Sequence, residues 1–428
     1  MLDNISLKIR SGSMWVFIKY AVVGIGLIRT VIVANALSIE NMGLFAFYLL
    51  VLEYSVVLIP IGSINAINKQ ISNLKGTVAN LSYDDDRVKK IYLTGYLIIT
   101  FSLVFVAILI FIFDSYIYNL FPNIIRETKY IFISLIILSL YRSLANIHNR
   151  LWEKYNRLFL SELSYGILYL LGILIFLKDN DGYIPILYIL LASTAVSIVL
   201  SRFIISIKNL KLINIDSFKS SMDIGFFLMC YITMETLFWG IDRFFIATVL
   251  DPDQLAIFHI CHTFGRGILM FYAALTFLFY PLLLSQYSKE SINSEKLLDS
   301  IKKMSRFSET ILIYVILISI ILIPFFIKIF LPEYPDVTTL QYVILIGLLL
   351  KGLAFFPSSY FIAVSWHRVL TVISFSFIGL IGAVYIIFGK IFNLNAFGYS
   401  SIATLSFLIF LYTLTYILMK KINIKNPV

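Results

Sequence analysis

Five side chains between Glu235 and Arg266 carry the chemistry that stands out in this chain. Glu235 and Asp242 lie seven residues apart with Trp239 between them, and His259, His262 and Arg266 follow at i, i+3 and i+7. Those spacings put each trio on one face of a helix. Carboxylate, imidazole and guanidinium groups facing one another can hold an anion, relay a proton or bind a cation. The sequence around them is apolar enough to lie in hydrocarbon, where an ionised side chain at mid-depth costs about 3 kcal/mol and so usually faces a protein interior or a wet cleft. His259 and His262 could bind a metal, but no third ligand of suitable spacing accompanies them. They are read as cavity-lining groups, and no metal site is expected.

The elements that must position these groups are membrane-spanning helices. Of the 428 residues 60% are hydrophobic and 14% charged, which excludes an ordinary soluble domain. The net charge of +10 sits mostly in short loops beside apolar segments, where topology explains it better than nucleic acid does. Cys230 and Cys261 both fall within predicted spans, so no disulfide framework is indicated. Twelve segments are long and apolar enough to cross a bilayer core of about 30 Å. They cover 13 to 34, 43 to 68, 91 to 113, 129 to 150, 159 to 177, 183 to 207, 223 to 248, 256 to 284, 306 to 330, 338 to 365, 369 to 389 and 397 to 419. With the N-terminus inside, 22 of the 34 Lys and Arg fall in inner segments, five in outer segments and seven within spans. That imbalance predicts cytoplasmic termini.

A repeat runs at long range. Ala34 to Phe45, ANALSIENMGLF, and Ala247 to Phe258, ATVLDPDQLAIF, align at an offset of 213 residues, with Ala34/Ala247, Leu37/Leu250 and Phe45/Phe258 identical. Each copy is the turn after the first span of a half. The expected fold class is therefore all-α, with twelve transmembrane helices in two pseudo-symmetric six-helix bundles around a central cavity. The lobes run 1–207 and 223–428, with a cytoplasmic linker over 208–222, and an even-numbered repeat gives both the same orientation.

Nine charges lie deep in the predicted spans: Lys19, Arg29, Glu53, Arg142, Glu235, Asp242, Arg243, Arg266 and Lys351. Six are cationic, an excess that draws an anion into a low-dielectric cleft, and guanidinium forks suit phosphate oxygens. Arg29 and Arg266 are read as anion-binding. Lys19 and Lys351 are divided between that role and snorkelling or interhelix pairing. Glu53 and Glu235 are either proton or sodium sites or counter-ions for the cations. Arg142, Asp242 and Arg243 are structural or cavity-lining, and Glu162, Arg202, Arg306, Glu309 and Lys328, near span ends, are read as interface anchors. No cofactor is indicated. Pro60, Pro281, Pro324 and Pro357 are expected to kink their helices. Tyr83 to Arg87, YDDDR, is read as a helix-initiating loop in preference to a metal-nucleotide site.

Gly12-Ser13-Met14-Trp15, the segment Leu37 to Gly43 continuing into Leu44-Phe45, then Gly62, Ala66 and Lys69 resemble the start of the polysaccharide-biosynthesis flippases. These are the Wzx-type translocases of O-antigen and capsule repeat units, within the multidrug/oligosaccharidyl-lipid/polysaccharide exporter superfamily. Asp242-Arg243, the step Ala256-Ile257-Phe258 where that family more often has Gly-x-Tyr, and Leu331-Pro332-Glu333-Tyr334 are similar to its second half. The resemblance implies a non-enzymatic transporter in the bacterial cytoplasmic (inner) membrane. Its cargo would be an undecaprenyl-pyrophosphate-linked oligosaccharide, flipped to the outer leaflet by alternating access, with bilayer lipids and other polysaccharide assembly proteins as partners. A cation-coupled drug exporter of the same superfamily is the nearest rival, although a cationic drug would prefer an acidic cavity. A membrane polysaccharide polymerase or glycosyltransferase is another, and it would need a longer extracytoplasmic loop than any found here.

Overall fold

The computed structural model describes residues 20–78, 81–112, 128–177, 182–203, 240–289, 294–334, 336–354 and 367–425, together with 219, 230, 233, 236 and 237. Among the described residues every regular element is a helix. In chain order these are α1 (Tyr20–Ala36), α2 (Ile39–Leu58), α3 (Ser63–Thr77), α4 (Asp86–Ile112), α5 (Lys129–Leu151), α6 (Tyr155–Phe176) and α7 (Ile184–Ser201). They continue as α8 (240–249), α9 (Pro252–Lys289), α10 (Ser294–Phe330), α11 (Val337–Leu353), α12 (His367–Phe392) and α13 (Ala396–Lys425). Eight of the helices are long and apolar enough to cross a membrane by length and composition, and α1 and α11 are shorter apolar helices. Phe101, Val199, Ile321 and Phe325 are 68 to 74 % exposed. Apolar side chains left so exposed suit acyl chains, since protein interiors do not cover them.

The expected second span, 43 to 68, is two helices. The last rung of the α2 ladder is Ile59 N to Ser55 O at 3.0 Å; Pro60 has no N–H to continue it, and Ile61 and Gly62 follow with φ of 47° and 71°. Ser63 N then donates to Pro60 O at 2.9 Å, and the chain restarts as α3. Glycine tolerates that conformation; β-branched Ile61 is strained in it. Pro324, by contrast, lies inside continuous helix α10, and Pro281 lies within α9. Pro357 is outside the described residues.

The turns of the repeat keep their register. Helix α1 ends at Ala36 and α2 starts at Ile39, while α8 ends at 249 and α9 starts at Pro252. Both boundaries are offset by 213 residues (249 − 36 and 252 − 39), the offset seen in sequence. Ala34, Leu37, Phe45, Ala256 and Phe258 are all buried. The two turns also touch: a Cβ built on Gly43 would stand 1.9 Å from the carbonyl oxygen of Pro252.

Packing divides the chain into two compact units, one of residues 1–46 with 237–428 and the other of residues 47–236. The linker expected over 208–222 lies outside the described residues except at Lys219, so the lobes 1–207 and 223–428 stay an expectation. In the unit 47–236, α7 packs on α5 and α6, and α3 on α4 and α5. Its core gathers Ile64, Ile67 and Ile71 from one face of α3 against Val88, Tyr92, Leu140 and Leu144. Close approach of α6 and α7 uses small residues: Ser161 and Ser197 share a 2.9 Å hydrogen bond, and Gly172 lies under Ile189. In the other unit α9 packs on α10 and α11, α11 on α10 and α13, and α12 on α13.

Glu162 corrects an expectation. Read as an interface anchor, it is 7 % exposed and its carboxylate accepts from Arg142 at 3.1 Å and from Asn146. The Arg142 guanidinium also lies 3.5 Å from the centroid of the Tyr165 ring. An anchor would have been solvated; this buried carboxylate pairs with a half-buried cation and ties α5 to α6. Glu162→Ala would leave Arg142 without its ion-pair partner and is expected to destabilise the protein by about 3 to 5 kcal/mol, with Glu162→Gln milder. Melting temperatures in detergent check this.

Candidate functional site

The candidate site lies wholly within the unit that contains α1 and α8 to α13. Its floor is α9, where Gly265 and Gly267 flank Arg266. A Cβ on Gly265 would meet Leu348 of α11 at 2.2 Å, and one on Gly267 would meet Leu27 of α1 at 3.3 Å. The two glycines let α11 and α1 approach on either side of Arg266, whose own side chain is exposed. Because Leu27 and Val23 of α1 lie against Gly267, Arg29, two residues beyond Leu27, is held near the same level.

Behind them lies a buried polar layer. Arg243 and Asp242 on α8 are 4 % and 6 % exposed, and His259, His262 and Lys351 are also buried. Arg243 Nη2 lies 3.3 Å from His259 Nδ1. A guanidinium can only donate, so Nδ1 is the acceptor and His259 is neutral in this contact. The backbone N–H of Arg243 donates to Asp242 Oδ1 at 2.9 Å. Lys351 Nζ stands 4.0 Å over the Phe407 ring, a cation–π contact, and the charges of Lys351 and Asp242 act on each other. Arg243, Arg29 and Arg266 all act electrostatically on His259, and Arg243, Arg266 and Lys351 on His262. Four cations from α1, α8, α9 and α11 therefore act on one or both of these imidazoles, and Lys351 and Arg243 act on the one carboxylate.

Of the residues singled out in the sequence, Arg29, Asp242, Arg243, His259, His262, Arg266 and Lys351 come together here. Lys19 and Glu235 lie outside the described residues. Glu53, on α2, and Arg142 belong to the other unit. Gly265 and Gly267 were legible as a Gly-Arg-Gly step but were not singled out, and Phe407 carries no sequence signal linking it to Lys351, 56 residues away.

Groups in the loops and near the ends of the spans are simpler. Arg87 hydrogen-bonds Asp85 at 2.7 Å and holds its carboxyl down at about 2. Asp86 opens α4, so the acidic triplet begins a helix, and no cluster of metal-ligating side chains occurs among the described residues. Burial, then Glu333 and Asp253, pushes Tyr334 up to about 12. It is thus a stable donor to Ala34 O at 3.1 Å, fastening the loop before α11 to the end of α1. In the other unit, Lys154 Nζ donates to His148 Nε2 at 3.2 Å, so His148 donates from Nδ1 to Tyr92 Oη at 3.1 Å.

Residues 9–288, nearly two thirds of the chain, match the polysaccharide biosynthesis protein family. The chain belongs to that family. No curated protein matches it. Solved structures do. A multidrug resistance MATE family transporter of the MOP superfamily, in its outward-facing conformation, is 13% identical with a TM-score of 0.66, covering 98% of this chain and 97% of that one. A MATE in complex with MaD3S is 15% identical at a TM-score of 0.65, over 96% and 95%. The Vibrio cholerae MATE transporter VcmN, as a D35N mutant, is 15% identical at 0.63, over 100% and 99%. This family member is a multi-pass, all-helical membrane protein with the MATE transporter fold.

Proposed function

We propose that this protein is a transporter, not an enzyme, that flips an undecaprenyl-pyrophosphate-linked oligosaccharide from the cytoplasmic to the outer leaflet by alternating access. The product would feed surface polysaccharide assembly of the O-antigen type. One observation carries the reading: among apolar helices, Arg29, Arg243 and Arg266 act electrostatically on buried His259, and Arg243, Arg266 and Lys351 on buried His262. A cluster of that sign in low dielectric suits a pyrophosphate, while the polyprenyl tail stays in the bilayer. Membership of the polysaccharide biosynthesis family supports the same cargo. Lys19 is assigned to the same substrate site. The protein is placed in the bacterial cytoplasmic membrane with both termini inside, beside other polysaccharide assembly proteins. A cationic drug is disfavoured by the charge of the site.

The test is reconstitution. Vesicles holding the purified protein and a fluorescent lipid-linked oligosaccharide are expected to expose the sugar to an added lectin faster than protein-free vesicles. Equal rates would remove this function. Glu53 and Glu235 are proposed as coupling sites for a proton or sodium gradient. Glu235→Gln should change the response of transport to an imposed gradient, and an unchanged response would leave that carboxylate a structural role.

A further inference from the structure

The contact between Arg243 and His259 has an electrical consequence for the anion site. His259 can accept from Arg243 only while its imidazole is neutral; a proton on Nδ1 would set two donors face to face and break the contact. We propose that His259 takes up a proton when a pyrophosphate binds at Arg29 and Arg266, and that this proton releases Arg243 to donate to the anion. The inference rests on the anion-binding reading given above and adds a proton to it.

The charges on the helices that carry or adjoin the two imidazoles give the reason. From α1 comes Arg29, from α8 Asp242 and Arg243, from α11 Lys351, and α9 itself adds His262 and Arg266. Of the other helices that pack on α9, α10 carries charged side chains only up to Glu309 and at Lys328, and α13 only from Lys420 onward. Without a ligand, an imidazolium here would stand among like charges in a buried layer. A pyrophosphate bearing two or three negative charges reverses that balance, because each buried charge is costly unless an opposite one lies close. Proton and anion then enter the site together. The guanidinium N–H that leaves His259 Nδ1 becomes a charge-assisted donor to a phosphate oxygen.

Linkage fixes the sign. A site that takes up a proton on binding gains affinity as pH falls, by up to about tenfold per pH unit for one proton. The full-length protein in detergent would be titrated calorimetrically with geranyl pyrophosphate near neutral pH, in two buffers of different ionisation enthalpy, which counts protons exchanged. Protonation of the ligand itself contributes equally in wild type and variant and cancels between them. In His259→Asn the side-chain oxygen still accepts from Arg243 but cannot be protonated, and His259→Gln serves should the first variant fold poorly. Wild type is expected to take up more protons than either variant, the difference approaching about one. Binding with the same proton count in wild type and variants would overturn the proton step and leave the anion site standing. Failure of geranyl pyrophosphate to bind wild type would remove the anion site and this inference together.

Discussion

Vesicles carrying Arg266→Ala are expected to bind a polyprenyl pyrophosphate about 10- to 100-fold more weakly than wild type and to show no measurable flipping. A charge-assisted hydrogen bond contributes about 1.5 to 3 kcal/mol, and each 1.4 kcal/mol is tenfold in affinity. The Arg266 side chain is exposed, so truncation should spare folding, and insertion and melting temperature should match wild type. Arg29→Ala is expected to act in the same way. Arg266→Lys keeps the charge but loses the planar fork, and an intermediate affinity is expected. Lectin accessibility in vesicles and ligand titration in detergent read the two effects separately. Full activity in both alanine variants would take these arginines out of the substrate site.

The second large effect is expected at Gly43. The space that a side chain would need there is filled by backbone: the Pro252 carbonyl carbon as well as its oxygen lies within 2.5 Å of an added Cβ. No side-chain rotation relieves such a clash. Gly43→Ala must part the starts of α2 and α9, at a cost of about 1 to 3 kcal/mol or more, and Gly43→Leu is expected to abolish monodisperse protein on size-exclusion chromatography. Gly24 on α1 is the internal control. Nothing lies within 4 Å of a Cβ there, so Gly24→Ala should leave the melting temperature unchanged or raise it, because alanine favours helix. Equal melting temperatures for Gly43→Ala and wild type would mean that the two turns are free to separate.

Helix positions were largely legible because hydrocarbon thickness sets a minimum apolar length, and segments such as 129 to 150 and 369 to 389 are observed within a few residues as α5 and α12. The break at Pro60 was legible only as a kink: whether a proline bends or ends a helix depends on what satisfies the freed carbonyls, and here the chain turns through Ile61 and Gly62. Charge type and spacing picked out Arg29, Asp242, Arg243, His259, His262, Arg266 and Lys351, which the fold gathers in one unit, since burial of ionised groups is too costly to be incidental. Partners were not legible. Glu162 near a span end looked solvated, and only packing of α6 on α5 reveals Arg142 beside it. Likewise the meeting of Arg243 with His259 needs α8 and α9 to fold back across the short turn at Leu250 and Asp251, which spacing along either helix cannot reveal.

The meeting of Gly43 with Pro252 bears on the symmetry of the two turns. Counting by 213, Pro252 corresponds to Ile39 and Ala256 to Gly43, so exact twofold symmetry would set Ala256 against Ile39. A patch whose partner is its own equivalent is what two identical polypeptides bury when they assemble about a twofold axis. With glycine at 43 and alanine at 256, the two copies of the turn are not interchangeable, and only the first needs the bare backbone that the Pro252 carbonyl demands.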